Sequence, residues 1–348
     1  MQQNLIVSTP SAYSYPLLVK QLLIHSLSLY GDQEISYRGE MRYSYRDFRR
    51  RVGQLASTLS SLGAKHGSTV AVMDWDSHRY LECYFGVPMM GATLFTVNVR
   101  LSPQQILYTL NDADADIVLV HPDFVPVLEQ IHGQLTCNPR FVLLADGQPA
   151  PQTDLPFVGE YEALLAAASP DFDFPEFDEN TKAATFYTTG TTGDPKGVCY
   201  SHRDIVLHTL ATSTSLCSPR EGQRMHREDV YMPITPMFHV LAWGIPYVAV
   251  MLGLRTVLPG RYAPDMLLSC ARRRRSRSRI ACRPSCRCCC SPRRTARRIS
   301  PAGKSSSAVP RCHRHCARQR STAASTSLPD TACRRPARSF RWRSCLQA

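Results

Sequence analysis

Residues 187–198, Tyr-Thr-Thr-Gly-Thr-Thr-Gly-Asp-Pro-Lys-Gly-Val, gather glycine, threonine and one lysine in a single short stretch. That mixture suits a phosphate. Gly190, Gly193 and Gly197 let the backbone bend so that several N–H groups converge on one anion. The hydroxyls of Thr188, Thr189, Thr191 and Thr192 add donors and oxygen ligands for a metal ion. Lys196 adds a positive point charge on a flexible stem, and Asp194-Pro195 marks a turn. The stretch departs from the common phosphate loop, G-x-x-x-x-G-K-[ST]. Two residues separate Gly193 from Lys196, and Gly197–Tyr200 reads as a strand, not a helix. The loop is therefore expected to join two strands as a hairpin over a nucleotide.

A second constellation lies at residues 233–247, Pro-Ile-Thr-Pro-Met-Phe-His-Val-Leu-Ala-Trp-Gly-Ile-Pro-Tyr. His239 and Trp243 stand four apart. A right-handed helix starting at Phe238 would set both on one face. By residue chemistry alone, such an aromatic cluster is more often core than site. The surrounding window 230–254 contains no Asp, Glu, Lys or Arg, but Pro233, Pro236 and Pro246 interrupt it. It reads as buried core and site lining, not as a membrane span.

The elements that must position these stretches follow from periodicity. Leu18, Leu22, Leu23 and Leu27 define one face of a helix over 16–30, ended by Gly31-Asp32. Two short strands, 34–38 and 41–43, flank a turn at Gly39-Glu40. Ser44, with Asp47 three residues on, caps a long helix carrying Val52, Leu55, Ala56, Leu59 and Leu62, with Gly63 at its end. Strands at 70–73, 94–97, 117–120 and 141–144 then alternate with helices at 77–90, 103–112 and 123–132. This rhythm implies a largely parallel sheet with helices on its faces. Residues 146–180 read as a linker with one short helix near 160–168. Ala183–Tyr187 reads as a buried strand feeding the loop, and Ser201 with Asp204 caps the helix beyond it.

Taken together, the loop and its surroundings resemble the adenylate-forming superfamily of acyl-CoA synthetases, firefly-type luciferases and peptide-synthetase adenylation domains, whose signature is Y-T-[ST]-G-T-T-G-x-P-K-G-V. Pro236–Tyr247 is similar to a segment of medium- and long-chain fatty acyl-CoA synthetases. Thr96–Leu101 with Ile106, Tyr108, Leu110 and Asn111, and Gly63 with Gly67–Ala71, resemble further segments of those enzymes. The similarity runs from about Pro16 to Leu268. It implies the incomplete N-terminal domain of the adenylate-forming α/β fold, and use of ATP, Mg²⁺ and coenzyme A to convert a fatty acid to acyl-AMP and then acyl-CoA. It further implies that Thr188, Thr189, Gly190, Thr191, Thr192, Gly193 and Lys196 hold the nucleotide's phosphates and that Thr188 ligates Mg²⁺. By the same resemblance His239 lines the acyl–adenylate site as a catalytic residue, and Trp243 gates the fatty-acid tunnel. A ligase for an aryl or short-chain acid is the alternative within the superfamily. A homodimer stays open as an assembly.

Composition divides the chain in two. Of 348 residues and a formal charge of +13, residues 271–348 hold 21 arginines, one lysine and a single acid, Asp330. The remainder holds 19 basic and 27 acidic side chains. Nine of the 14 cysteines lie in the tail. Residues 1–268 are thus expected to form a mildly acidic globular unit of reducing, cytoplasmic character, with no secretory leader. Residues 269–348 show no helical or strand periodicity and are expected to be a disordered basic tail. Their Arg, Ala, Pro, Ser and Cys content is what GC-rich codons read out of frame tend to give. The family's later Y-G-x-T-E and T-G-D elements do not occur beyond residue 268, so little ligase activity is expected of this chain. Two other readings of the tail are weaker. Its charge would suit nucleic acid, but only Phe340 and Trp342 supply aromatic interleaving. Cys286–Cys290 with Cys312-His-Arg-His-Cys316 fits no standard zinc spacing.

Overall fold

The computed structural model describes residues 9–149, 151–188, 193–220, 224–272 and 280–281. Helix α1 spans Val19–Tyr30 and is followed by the hairpin β1 (Glu34–Tyr37) and β2 (Met41–Ser44). Helix α2 (Tyr45–Ser61) starts at the expected capping box: the Asp47 N–H donates to the Ser44 hydroxyl, and the Asp47 carboxylate accepts from the Ser44 N–H. Then come β3 (Thr69–Met73), α3 (His78–Met89), β4 (Thr93–Thr96), α4 (Pro103–Asp112) and β5 (Ile117–Val120). The helix expected over 123–132 is divided. A 3₁₀ turn at Pro122–Phe124 precedes α5 (Val125–Ile131), and a second follows at His132–Gln134.

Strand β6 (Arg140–Leu143) is followed by β7 (Phe157–Glu160), α6 (Tyr161–Ala167), β8 (Lys182–Thr188), β9 (Lys196–Ser201) and α7 (His202–Cys217). The stretch read as linker therefore supplies a strand. Its composition hid β7, because only Phe157-Val158 in it carries strand propensity. The chain continues through β10 (Val230–Tyr231), α8 (Ile245–Met251), β11 (Arg255–Leu258), α9 (Pro264–Arg272) and β12 (Ile280–Ala281). Of the tail expected from residue 269, residues 269–272 end α9 and 280–281 form β12; residues 273–279 and 282–348, with the nucleic-acid, zinc and frame readings, lie outside the described residues.

The strands form two sheets. One is seven-stranded in the order β7-β6-β5-β3-β4-β8-β9, parallel except for the β8–β9 hairpin. The other is five-stranded, in the order β12-β10-β11-β1-β2. Helix α3 is buried along its whole length, and its core contains residues of both sheets, Ile35 and Val72 among them. Such a helix must satisfy its charges internally. Glu82 accepts from Arg51 Nε (2.7 Å) and Nη2 (3.2 Å), and from the Tyr161 hydroxyl (2.7 Å).

Arg79 of α3 takes part in a second network that joins the sheets. Its Nη2 donates to Asp146 Oδ1 at 2.7 Å. The other Asp146 oxygen accepts from Tyr37 Oη (2.9 Å) and Arg38 Nη1 (3.2 Å), with His121 Nε2 at 3.4 Å. Asp146 follows β6 of the large sheet, whereas Tyr37 ends β1 of the small one and Arg38 follows it. Burial alone would raise the Asp146 carboxyl. The bonds from His121 and Arg79, and the guanidinium charge, outweigh burial and hold it well below the usual carboxylate range. Its contribution is therefore complete above the unfolded pKa of about 4 and is lost as pH falls toward the depressed folded value. Asp146→Ala leaves the buried Arg79 without its nearest anion. The expected loss in urea unfolding is about 3–5 kcal/mol at pH 7, shrinking as pH falls below about 4.

Candidate functional site at the carboxyl edge of the parallel sheet

Parallel strands end on one edge of a sheet, and open α/β sheets bind ligands outside their carboxyl ends. Here that edge carries Asp74 and Asp76 after β3, Asn98 and Arg100 after β4, His121 after β5, and Thr188 at the end of β8. The Gly/Thr stretch is the β8–β9 hairpin, as expected. Thr188 pairs directly with Lys196 across it, and both are exposed. Gly193 adopts a left-handed φ of 90°, with open space where a Cβ would stand. Thr189, Gly190, Thr191 and Thr192 lie outside the described residues. An exposed lysine, an adjacent hydroxyl and an unobstructed glycine turn form a donor set that suits phosphate oxygens.

The base of the hairpin is anchored by Tyr187. Its hydroxyl donates to Asp112 Oδ2 at 2.6 Å, and its ring lies 5.2 Å from that of Phe95. Burial, then the Asp112 contact, push the phenol well above its ordinary pKa, so it stays a donor. Gly197 lies over the same ring. A Cβ there would stand 3.3 Å from Tyr187 carbons, a tight contact that the ring would have to relieve by a small shift.

The second constellation departs from expectation. No right-handed helix starts at Phe238. His239 is extended (φ −99°, ψ 110°), and Val240, Leu241, Ala242 and Trp243 are left-handed, with φ of 49°, 50°, 47° and 59°. Gly244 continues the turn at φ 71°, and right-handed helix resumes with α8. Left-handed backbone costs an L-residue roughly 1–2 kcal/mol, and β-branched Val240 is a poor occupant. The four-residue spacing therefore does not place His239 and Trp243 on a common helical face. Leu241 and Ala242 are buried, while Trp243 is 47% exposed and His239 is exposed. The window 230–254 divides into a short strand, this turn and α8, and among the described residues no helix is long and apolar enough to cross a membrane.

Asp76 holds this segment from below. Fully buried, it accepts from the Met237 N–H at 2.8 Å and from the Tyr262 hydroxyl. Its own carbonyl accepts from the Gly260 N–H at 2.9 Å. The Met237 carbonyl in turn accepts from Tyr84 Oη at 2.5 Å. The Arg100 guanidinium lies 5.7 Å from the centre of the Phe238 ring. At the far end His208 Nε2 lies 3.1 Å from the Trp243 carbonyl, and a side chain at Gly244 would collide with the His208 ring. Arg100 belongs to the Thr96–Leu101 segment read by resemblance, whereas Asp76, Tyr84, Asp112, His208 and Tyr262 were not singled out by motif. The available signal was position: Asp76 stands in the loop after β3 and Asp112 ends α4.

Among the described residues no cluster of three His, Cys, Asp or Glu side chains is placed to hold a metal ion. A threonine hydroxyl beside bound phosphates is a different, oxygen-only arrangement, and Thr188 fits that chemistry.

Comparison with known proteins gives a consistent result. A family model described as AMP-binding enzyme matches residues 25–277. The 3-methylmercaptopropionyl-CoA ligase of Ruegeria pomeroyi is 37% identical over 255 residues, covering 72% of this chain and 46% of that protein. The medium-chain-fatty-acid–CoA ligase of Ectopseudomonas oleovorans is 36% identical over 248 residues, covering 70% and 44%. The long-chain-fatty-acid–CoA ligase of Thermus thermophilus is 40% identical over 242 residues, covering 68% and 42%. The chain thus spans somewhat under half the length of these relatives. Among solved structures, the anthranilate CoA ligase AuaEII in complex with anthranoyl-AMP superposes with a TM-score of 0.66 at 21% identity, covering 74% of this chain and 48% of that one. ATP-bound MatB from Rhodopseudomonas palustris gives 0.61 at 22%, covering 74% and 48%. At such identities the superpositions show the fold, the N-terminal part of an adenylate-forming enzyme.

The buried Asp76 carboxyl generates a pH prediction. Burial raises it to about 7, against the Met237 and Tyr262 hydrogen bonds, which lower it. A raised carboxyl pKa means that the folded state holds its proton more tightly, so this stability is complete below about pH 4 and is lost as pH rises through 7. Asp76→Asn carries no such titration. Relative to wild type it should gain stability between pH 4 and pH 8, by on the order of 4 kcal/mol at most. Urea unfolding at both pH values reads the difference.

Proposed function

We propose a function from one premise, that this chain belongs to the AMP-binding enzyme family. The reaction is ATP-dependent activation of a carboxylic acid. Acid and ATP give acyl-AMP and pyrophosphate, and the thiol of coenzyme A then displaces AMP to give the thioester. A carboxylate is a poor electrophile, whereas a mixed anhydride with AMP carries a good leaving group. The dominant requirement is neutralisation of phosphate charge together with positioning. The observation that carries this reading is the Thr188–Lys196 pair on an open hairpin at the carboxyl edge of the parallel sheet. Lys196, the loop N–H groups and the hydroxyls of Thr188, Thr189, Thr191 and Thr192 would hold the phosphates, with Gly190 and Gly193 giving the backbone its bend. Mg²⁺, taken by Thr188, would neutralise part of their charge.

The acid in this reading is a fatty acid. Two of the relatives above are named for medium- and long-chain fatty acids, and Pro236–Tyr247 resembles the matching segment of such enzymes. His239 would line the acyl–adenylate site and Trp243 would gate the chain's entry. Each CH₂ buried in an apolar channel gains about 0.8 kcal/mol, so a gated tunnel converts length into affinity. A shorter acid is the second reading, favoured by the relative named for 3-methylmercaptopropionyl-CoA. A cytoplasmic location, a homodimer and a domain boundary at residues 268 and 269 belong to the same proposal.

Three outcomes test it. Calorimetry on the full chain should detect ATP binding, and Lys196→Ala should weaken it tenfold to about a hundredfold, the value of one charge-assisted contact. Among carboxylic acids of increasing chain length, binding should rise with length, and Trp243→Ala should flatten that rise; a preference for short acids supports the second reading. Thioester formation by this chain is expected to be slow or absent, in keeping with the lack of Y-G-x-T-E, and of a T-G-D beyond the β8–β9 hairpin, in its sequence. Mass-spectrometric detection of acyl-CoA at about 1 s⁻¹ or faster would contradict that.

A further inference from the structure

The left-handed turn at Val240–Gly244 needs an external restraint, because its residues do not favour that backbone. Reverse-turn bonds run from the Ala242 N–H to the His239 carbonyl at 3.0 Å and from the Ile245 N–H to the Ala242 carbonyl, and they hold a backbone that these residue types do not favour. The restraint lies just upstream. The Met237 backbone is gripped on both sides, its N–H by Asp76 and its carbonyl by Tyr84, and the residue itself is fully buried. Tyr84 is fixed in turn. Its ring lies 5.8 Å from Tyr80 and 5.3 Å from Tyr247, and its own carbonyl accepts from the Tyr247 hydroxyl at 3.1 Å. Tyr247 belongs to α8, directly after the turn. The segment on either side of Val240–Gly244 is therefore tied to α3.

We propose that Asp76 and Tyr84 are positioning residues that clamp the Met237 backbone from both sides, hold the Val240–Gly244 turn left-handed, and so fix where Trp243 stands. That Trp243 gates the acyl site rests on the function proposed above; the clamp itself can be read without any turnover. Neither side chain is assigned contact with substrate. Asp76 acts by accepting a hydrogen bond, so asparagine should replace it and an apolar side chain should not.

Hydrogen exchange of the full chain, read by mass spectrometry, tests this. Asp76→Leu and Tyr84→Phe should each raise exchange in peptides covering residues 236–247 by tenfold or more. Peptides from β3, β5 and α2 should stay within twofold of wild type. Asp76→Asn should raise exchange by no more than twofold in any peptide. Tyr84→Phe keeps the ring and its packing, so it decides the matter should Asp76→Leu fail to fold. Exchange that is unchanged in 236–247, that rises equally across the whole chain, or that rises tenfold in Asp76→Asn would overturn the clamp. Acid-binding profiles of the same variants separate the two readings: a loosened turn with an unaltered profile retains the clamp and removes the gate.

Discussion

A charge buried between two sheets must find its counter-charge there, and that requirement shapes this fold. Helix α3 runs through the interior carrying Arg79 and Glu82, 3% and 0% exposed. Removing such groups from water costs several kcal/mol each unless the partner is close and well aligned. Glu82 is met by Arg51 of α2 and by tyrosines from β2 and α6. Arg79 is met by Asp146, which also receives Tyr37 and Arg38 from the other sheet. The relative placement of the two sheets is thus set by directional bonds as well as by apolar packing. Everything at the carboxyl edge inherits its position from that arrangement.

The site follows from it in two halves. The β8–β9 hairpin is positioned by the large sheet, through β4 and through Tyr187 on Asp112. The Pro233–Tyr247 segment is positioned from beneath, where Asp76 receives the Met237 N–H, the Tyr262 hydroxyl and Gly260. The first half is polar, open and glycine-rich. The second is apolar on its inner side, with Met237, Phe238, Leu241 and Ala242 all buried.

Much of this was legible in the residues, for stated reasons. Capping boxes at Ser44 and Ser201 and apolar runs such as Val70–Met73 carry local signals that tertiary packing reinforces. The β8–β9 hairpin was legible because glycine and proline write their backbone demands into residue type. The left-handed turn was not. Val240, Leu241 and Ala242 have no preference for that backbone, and their conformation is imposed from residues more than a hundred positions away. The buried partners escaped motif reading for the same cause. An aspartate after a strand looks alike whether it ends in water or, like Asp76, beneath a loop brought in from residue 237. Strand β7 was hidden by a neighbourhood rich in proline and aspartate.

The two halves of the site also differ in how far the chain must travel to build them. Thr188 and Lys196 are eight positions apart and meet by a local reversal. The Asp76 joint closes loops of 161 residues to Met237 and 186 to Tyr262. Loop-closure entropy grows with the logarithm of length, which puts the longer closures about 3 kcal/mol above the hairpin. Contacts of such separation weigh on folding rate more than on final stability. The hairpin is accordingly within reach of a partly folded chain, while the Met237 joint exists only once segments more than 150 residues apart have come together.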